Sequence, residues 1–328
     1  MTEPNPSLVV ARDNGPGLDR LRRSVVAIGN FDGVHLGHRA VIDTAIRRAR
    51  AAHRPAVALT FEPHPRSFFQ PDAPSFRLTS EAAKLRLLAA TGLDGAVLLT
   101  FDAALAGLTA EQFVSDILVE RLRVAGVAIG FNFHFGKQRR GSPEFLEAQG
   151  AIHGFPVDIV PPFQLSGRRV SSGAVRDALA AGHTSEASEL LGYPYFVTAQ
   201  VVHGDKRGRE LGYPTANLRL PPDCGLRHGV YVVRVGVGGI RYGGVANFGR
   251  RPMFDTGAVL LEVHLFDFAG DLYGTALDVA FIGWIRPEMN FDNIEELIRR
   301  MDDDSRHAQT ALARAPGAFP ILGVPAYE

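Results

Sequence analysis

Val25-Val26-Ala27-Ile28-Gly29-Asn30-Phe31-Asp32-Gly33-Val34-His35-Leu36-Gly37-His38 reads as a strand, a glycine-bearing turn and the start of a helix. The unbroken apolar run Val25–Ile28 suits a strand covered on both faces, as parallel sheets cover theirs. The turn that follows, Gly29-Asn30-Phe31-Asp32-Gly33, and a helix beginning near His35 offer backbone N–H groups to an anion. His35 and His38 are three apart, so on a helix they share a face. Two imidazoles aimed at one phosphate can donate to the charge that develops as a phosphoanhydride is exchanged. Zinc is an alternative use of the pair, but no third ligand lies at metal spacing and Cys224 is the only cysteine. Two surface histidines without a role remain the other alternative.

Working outward, short apolar runs alternate with helical patterns up to about residue 183. The candidate strands are Val25–Ile28, Ala56–Phe61, Ala96–Phe101, Val124–Gly130 and Val157–Val160. Between them, Thr109 with Gln112 makes a capping box, and Ser142-Pro143 places a cap before a first-turn proline. Gly154 and Gly182 stand where helices stop. Strand–helix alternation of this kind predicts a doubly wound, Rossmann-like parallel sheet over residues 1–184.

After a short helix, Thr184 to Leu191, stopped by Gly192, the period changes to two. Tyr231, Val233, Val235 and Val237 point one way, and Gly238-Gly239 turns the chain into Ile240–Ala246, a hairpin signature. Further strands are expected at Phe196–Val202, Val259–Phe266 and Leu277–Ile282. A last helix from about Asn293 carries Ile294, Leu297, Ile298 and Met301 on one face. Residues 185–328 are therefore expected to form a small antiparallel β-barrel with a terminal helix.

This half holds a second candidate site. No Gly-x-x-x-x-Gly-Lys-Ser/Thr stretch occurs, which excludes a Walker-type phosphate cradle. Gly204-Asp205-Lys206-Arg207-Gly208-Arg209 instead combines glycines and cations in a segment able to fold over phosphates. Pro214-Thr215-Ala216-Asn217 reads as a rigid turn offering a hydroxyl and an amide carbonyl, hard oxygens of the kind that suit Mg²⁺. Glu262 interrupts an apolar strand, where a carboxylate is costly unless it is paired or working.

The bulk numbers bound the function classes. At 328 residues, 46% hydrophobic and 21% charged, the chain suits two globular domains. Thirty-five basic residues balance thirty-five acidic ones, which argues against a general nucleic-acid binder. A single cysteine allows no intrachain disulfide. The first seventeen residues are polar with proline and glycine, and no long uncharged apolar stretch occurs, so neither a signal peptide nor a membrane span is expected. A cytoplasmic enzyme is the simplest reading.

Further segments complete the pattern. In the first half these are Thr60-Phe61-Glu62-Pro63-His64-Pro65, Gly130-Phe131-Asn132-Phe133-His134-Phe135-Gly136 and Arg169-Val170-Ser171-Ser172-Gly173-Ala174-Val175-Arg176. In the second they are His228-Gly229-Val230-Tyr231, Gly244-Val245-Ala246-Asn247-Phe248-Gly249, Leu261-Glu262-Val263-His264, Asp271-Leu272-Tyr273-Gly274 and Arg286-Pro287-Glu288-Met289-Asn290-Phe291. In this order, from about residue 20 to 315, they resemble the bacterial bifunctional riboflavin kinase/FAD synthetases.

The resemblance implies a bifunctional enzyme that makes FMN from riboflavin and ATP, then adenylates FMN to FAD with release of pyrophosphate. In the first half it puts Gly29, Asn30, Phe31, Asp32 and Gly33 at the nucleotide, with His35 and His38 on the ATP phosphates and Asn132 near the nucleotide. Arg169, Ser172 and Arg176 would hold the triphosphate or the leaving pyrophosphate. In the second half Glu262 would be the base, with Gly204, Lys206 and Gly208 at the nucleotide and Thr215 and Asn217 on Mg²⁺-ATP. Arg286, Glu288 and Phe291 would bind the flavin. ATP, riboflavin and FMN are the expected partners, with Mg²⁺ as cofactor, and neither nucleic acid nor a membrane is expected. The sequence carries no signal of oligomeric state.

Two positions depart from the family pattern. Gly173 stands where the family often has threonine, removing a hydroxyl but leaving a helix N–H, and Met253 also replaces a usual threonine. A flavin-nucleotide-binding regulator with one degenerate site is therefore a second reading. A class I aminoacyl-tRNA ligase also carries a histidine motif of this shape. Its second, lysine-rich motif is impossible with Lys84, Lys137 and Lys206 as the only lysines.

Overall fold

The structure, a computed structural model, describes residues 7–72, 76–204, 212–250 and 259–327, Arg250 by its backbone only. The chain divides into two compact units, residues 1–172 with 321–328, and residues 173–320. The 184/185 division read from the sequence lies further along the chain, inside a helix.

The first unit is a parallel α/β sheet. Its strands are β1 (Leu8–Arg12), β2 (Val25–Ile28), β3 (Ala56–Glu62), β4 (Gly95–Thr100), β5 (Gly126–Gly130) and β6 (Val157–Val160). The order β1-β4-β3-β2-β5-β6 places neighbours in parallel throughout. Helices α1 (Leu18–Leu21), α2 (Leu36–Ala51), α3 (Pro65–Phe69), α4 (Glu81–Ala89), α5 (Ala103–Gly107), α6 (Ala110–Gln112) and α7 (Pro143–His153) connect them. Helix α6 starts with the expected Thr109–Gln112 capping box and runs on as a π-helical stretch, Phe113–Arg121. Ser142 caps α7, which Gly154 ends in the left-handed region.

From β2 the chain steps to β3 and β4 on one side, then crosses to β5 and β6 on the other. That reversal is the switch point of the sheet, and the loops after β2 and β5 leave it side by side. One seventh strand was not legible in advance: the last residues, Pro325–Tyr327, lie parallel to β1. β1 itself was hidden in an N-terminal stretch that reads as polar.

In the first unit β7 (Gln164–Leu165) and β8 (Arg168–Arg169) form a two-stranded ribbon. Helix α8 (Ser172–Ala181) starts on the last residue of the first unit and continues into the second, followed by α9 (Thr184–Leu191). After α9 a closed barrel is built from β9 (Phe196–Val202), β10 (Ala216–Leu220), β11 (Gly229–Val237), β12 (Ile240–Arg250), β13 (Val259–Leu265) and β14 (Ala276–Arg286). The order β10-β13-β12-β11-β14-β9 closes through antiparallel pairing of β9 with β10. The Gly238-Gly239 hairpin is present, both glycines at positive φ. Helix α10 (Ile294–Arg314) is capped by Asn293, whose side chain accepts from the Glu296 N–H; the C-terminal strand at residues 325–327 is β15.

One local reading is corrected. Pro214–Asn217 is not a turn throughout, because Ala216 and Asn217 already pair in β10. On the expected apolar face of α10, Leu297, Ile298 and Met301 are half-buried. Ile294 is 59% exposed, while Asp304, Ala308 and Leu312 carry the burial further along.

Candidate functional sites

In the first unit the turn after β2 is tied down from inside. The Asp32 carboxylate accepts from the Thr79 N–H at 3.1 Å and its hydroxyl at 3.3 Å, while Thr79 Oγ1 accepts from Gly33 N–H. Gly33 sits at φ 86°, a region closed to most side chains. The Ser172 hydroxyl donates to the Asp32 carbonyl at 2.9 Å, which ties Ser172 to the turn.

His35 is the N-cap of α2, and its Nδ1 accepts from the His38 N–H at 3.2 Å. That bond fixes the neutral His35 ring as the Nε2–H tautomer, a donor on its far side. The His38 ring stacks on it at 3.6 Å between centroids, 13° from parallel. Burial first, then the neighbouring His35 and the Lys84 charge, hold His38 well below the ordinary imidazole value. The His38 ring is therefore neutral at pH 7 in the free protein, and His35, with Nδ1 accepting, has Nε2–H left to donate. The first helical N–H groups, which have no partner within a helix, open on the same end.

Asn132 follows β5 at the switch point and is exposed. The Arg169 guanidinium lies 4.7 Å from the centroid of the Phe131 ring, and Val170 O approaches Gly37. Segments 29–38, 130–132 and 169–172 thus meet along the carboxyl edge of one sheet. Arg176 lies one turn beyond Ser172 on α8, in the second unit.

Behind the turn lies a cluster that sequence reading left without a role. Lys84 of α4 is 1% exposed and its Nζ is 2.5 Å from Glu62 Oε1, which Arg77 also reaches at 2.7 Å. Burial alone would raise the Glu62 carboxyl, but Lys84 and Arg77 outweigh it and hold it below the ordinary value. Burial likewise lowers the Lys84 ammonium, with Glu62 pulling it back. The available signal was a lysine inside the apolar run Ala82-Ala83-Lys84-Leu85.

In the barrel, β13 alternates strictly: Val259, Leu261, Val263 and Leu265 are buried, whereas Leu260, Glu262 and His264 are half-buried on the other face. Glu262 pairs with Asn217 of β10 on one side and Asn247 of β12 on the other. Directly opposed residues share a face, so Asn217, Glu262 and Asn247 form a row across three strands. Asn217 is only 5% exposed, and its Oδ1 has no hydrogen-bond partner among the described residues. Its amide lies against Gly204, where any side chain would collide with it. Thr215 immediately precedes β10 and is half-buried, and Pro214 O is 2.9 Å from His264 Nδ1. Lys206, Gly208 and Met253 lie outside the described residues.

The Arg286–Phe291 segment leaves β14 where Arg286 pairs with Val230 of β11. Arg286 is buried and forks onto Asp304 of α10, with Nε–Oδ1 3.1 Å and Nη2–Oδ2 2.7 Å. Its Nη1 donates to Pro287 O at 3.0 Å, and the guanidinium carbon is 5.8 Å from the Phe291 ring centroid. The Glu288 carboxylate reaches over Gly249 and lies 3.6 Å from His228 Nδ1.

Two family models match along this chain in the same order as the two sites, FAD synthetase over residues 18–174 and riboflavin kinase over residues 191–312. The bifunctional riboflavin kinase/FMN adenylyltransferase of Escherichia coli (strain K12) is 42% identical over 286 residues, covering 87% of this chain and 91% of that protein. The chain belongs to this family. Its relative in Pseudomonas fluorescens is 42% identical over 298 residues, 90% of this chain and 95% of that one. A crystal structure described as a macrolide-efflux protein from Streptococcus pneumoniae shares the fold. It is 30% identical, with a TM-score of 0.80, and covers 92% of this chain and 99% of that one. No helix among the described residues is long and apolar enough to cross a membrane.

Proposed function

We propose that this chain phosphorylates riboflavin to FMN in its second domain (residues 185–328) and adenylates FMN to FAD in its first (residues 1–184), using ATP for each. The observation that carries the reading is the row Asn217–Glu262–Asn247, which sets a carboxylate beside an amide oxygen that has no partner among the described residues. Glu262 takes the proton from the ribityl 5′-hydroxyl as that oxygen attacks the γ-phosphorus of ATP, and ADP leaves. Asn217 Oδ1 and the Thr215 hydroxyl are hard oxygens that fit Mg²⁺, which when bound neutralises phosphate charge. Glu288 and Phe291 contact the flavin, and Arg286 holds their segment through Asp304.

In the first domain a phosphate oxygen of FMN attacks the α-phosphorus of a second ATP, and pyrophosphate leaves. The turn, through its Phe31 N–H, and the start of α2 present N–H groups to the phosphates. His35 and His38 donate to the charge on the departing pyrophosphate, with Arg169 and Ser172 alongside. Asn132 faces the nucleotide from the neighbouring strand end. Neither step needs a covalent enzyme intermediate, because positioning and charge stabilisation suffice. Purified protein with riboflavin, ATP and Mg²⁺ should yield FMN and then FAD. Binding of flavins without turnover would replace this reading with that of a regulator.

A further inference from the structure

Lys84 makes no contact that either reaction uses directly, yet it is a lysine 1% exposed in the first unit. Its Nζ reaches the Asn30 carbonyl at 3.4 Å, Thr60 Oγ1 at 3.2 Å and the Phe61 carbonyl at 3.5 Å, besides Glu62 at 2.5 Å. The Thr60 hydroxyl donates to the same Asn30 carbonyl at 3.2 Å. Asn30 O is therefore held from the sheet side by two donors.

That carbonyl belongs to the phosphate-facing turn. In a trans peptide the C=O and the next N–H point in opposite directions, so anchoring Asn30 O inward turns the Phe31 N–H away from the ion-pair pocket. The next residue, Phe31, has φ 49°, and Val34 has φ 37°, both in the left-handed region that bulky side chains rarely adopt. Such conformations persist only where surrounding contacts over-determine them. Asp32 is held by Thr79, but Asn30 is held by Lys84 and Thr60.

We infer that Lys84, neutralised by Glu62, is a positioning residue for adenylyl transfer: it locks the Asn30–Phe31 peptide so that the turn presents its N–H to the ATP phosphates. This rests on the adenylyltransferase reading of the same site. A buried lysine serving only the core would be replaceable by an apolar side chain of similar volume once its partner is neutralised.

The test compares Lys84→Met, the charge-neutral double variant Glu62→Gln/Lys84→Met, and Thr60→Val, with FMN supplied so that only adenylyl transfer is read. The double variant should keep its circular dichroism and its riboflavin phosphorylation. Its KM for ATP should rise about tenfold and kcat fall about 10–100-fold, with KM for FMN unchanged, as misplacement of a binding group does. Thr60→Val, which removes the second donor to Asn30 O at nearly constant volume, should raise the ATP KM in the same direction. Wild-type kinetics in the double variant would overturn the inference. So would a fall in kcat at constant ATP KM, since loss of folded enzyme alone produces that. Should the Lys84 variants fail to fold, an unchanged ATP KM in Thr60→Val would overturn it equally. His38→Ala separates the two levels: if that variant adenylates FMN normally, the function assigned to the site is wrong whatever Lys84 does.

Discussion

Replacing Glu262 by glutamine should separate the two activities. Glu262 sits on the half-buried face of β13, between Asn217 and Asn247, while its neighbours Leu261 and Val263 fill the core. Glutamine keeps the volume and one carbonyl acceptor in that row, so the barrel loses no packing and stability should change by less than about 1 kcal/mol. What disappears is the proton acceptor. A positioned base contributes about 10²–10⁴-fold, which at about 1.36 kcal/mol per decade is roughly 2.7–5.4 kcal/mol of barrier. FMN formation from riboflavin, followed by separating riboflavin, FMN and FAD, should fall by that factor. FAD formation from supplied FMN should not change, because His35, His38, Asn132, Arg169 and Ser172 lie in the other compact unit. A loss in FMN formation smaller than about tenfold would refute the assignment of Glu262 as base. Loss of both steps with a folded protein would refute the two-site arrangement.

The converse variant, His38→Ala, should slow adenylyl transfer by about 10²-fold, the cost of one lost transition-state donor, and leave riboflavin phosphorylation intact. Asp304→Ala strands the buried Arg286 guanidinium, so unfolding of the barrel unit in denaturant should become easier by about 3–5 kcal/mol. A change below about 1 kcal/mol would show that the pair is effectively solvated. Acid should destabilise the first unit in two windows, because His38 and Glu62 both have folded values below their ordinary ones and the unfolded chain takes up the protons more readily. Stability present above pH 6.5 drains below it as His38 is forced to charge, and a second loss begins below 4.5 as Glu62 must be protonated. Thermal unfolding against pH should show both losses, with His38→Gln removing the first and Glu62→Gln the second.

Much of this protein follows from local pattern. An apolar run, a glycine turn and a helix start can be read from adjacent residues, because a buried parallel strand and a helix N-terminus each impose their own composition. The Thr109–Gln112 box, the Ser142 cap and the Gly238-Gly239 hairpin are likewise decided within a few residues, and each stands where the chain predicts it. Tertiary structure decided whatever depends on a partner far away in sequence. β15 is a strand only because it pairs with β1 across nearly the whole chain, and β1 is placed by β4 on its other side. Asn217 looks like a turn residue until β13 and β9 pair on both sides of it, and the same pairing sets it opposite Glu262. Arg286 reads as a ligand-facing cation, yet the fold gives its fork to Asp304. Lys84 shows the limit most clearly: its place in an apolar run hints at burial, but only the convergence of β2, β3 and α4 supplies the carboxylate and carbonyls that let its charge be buried.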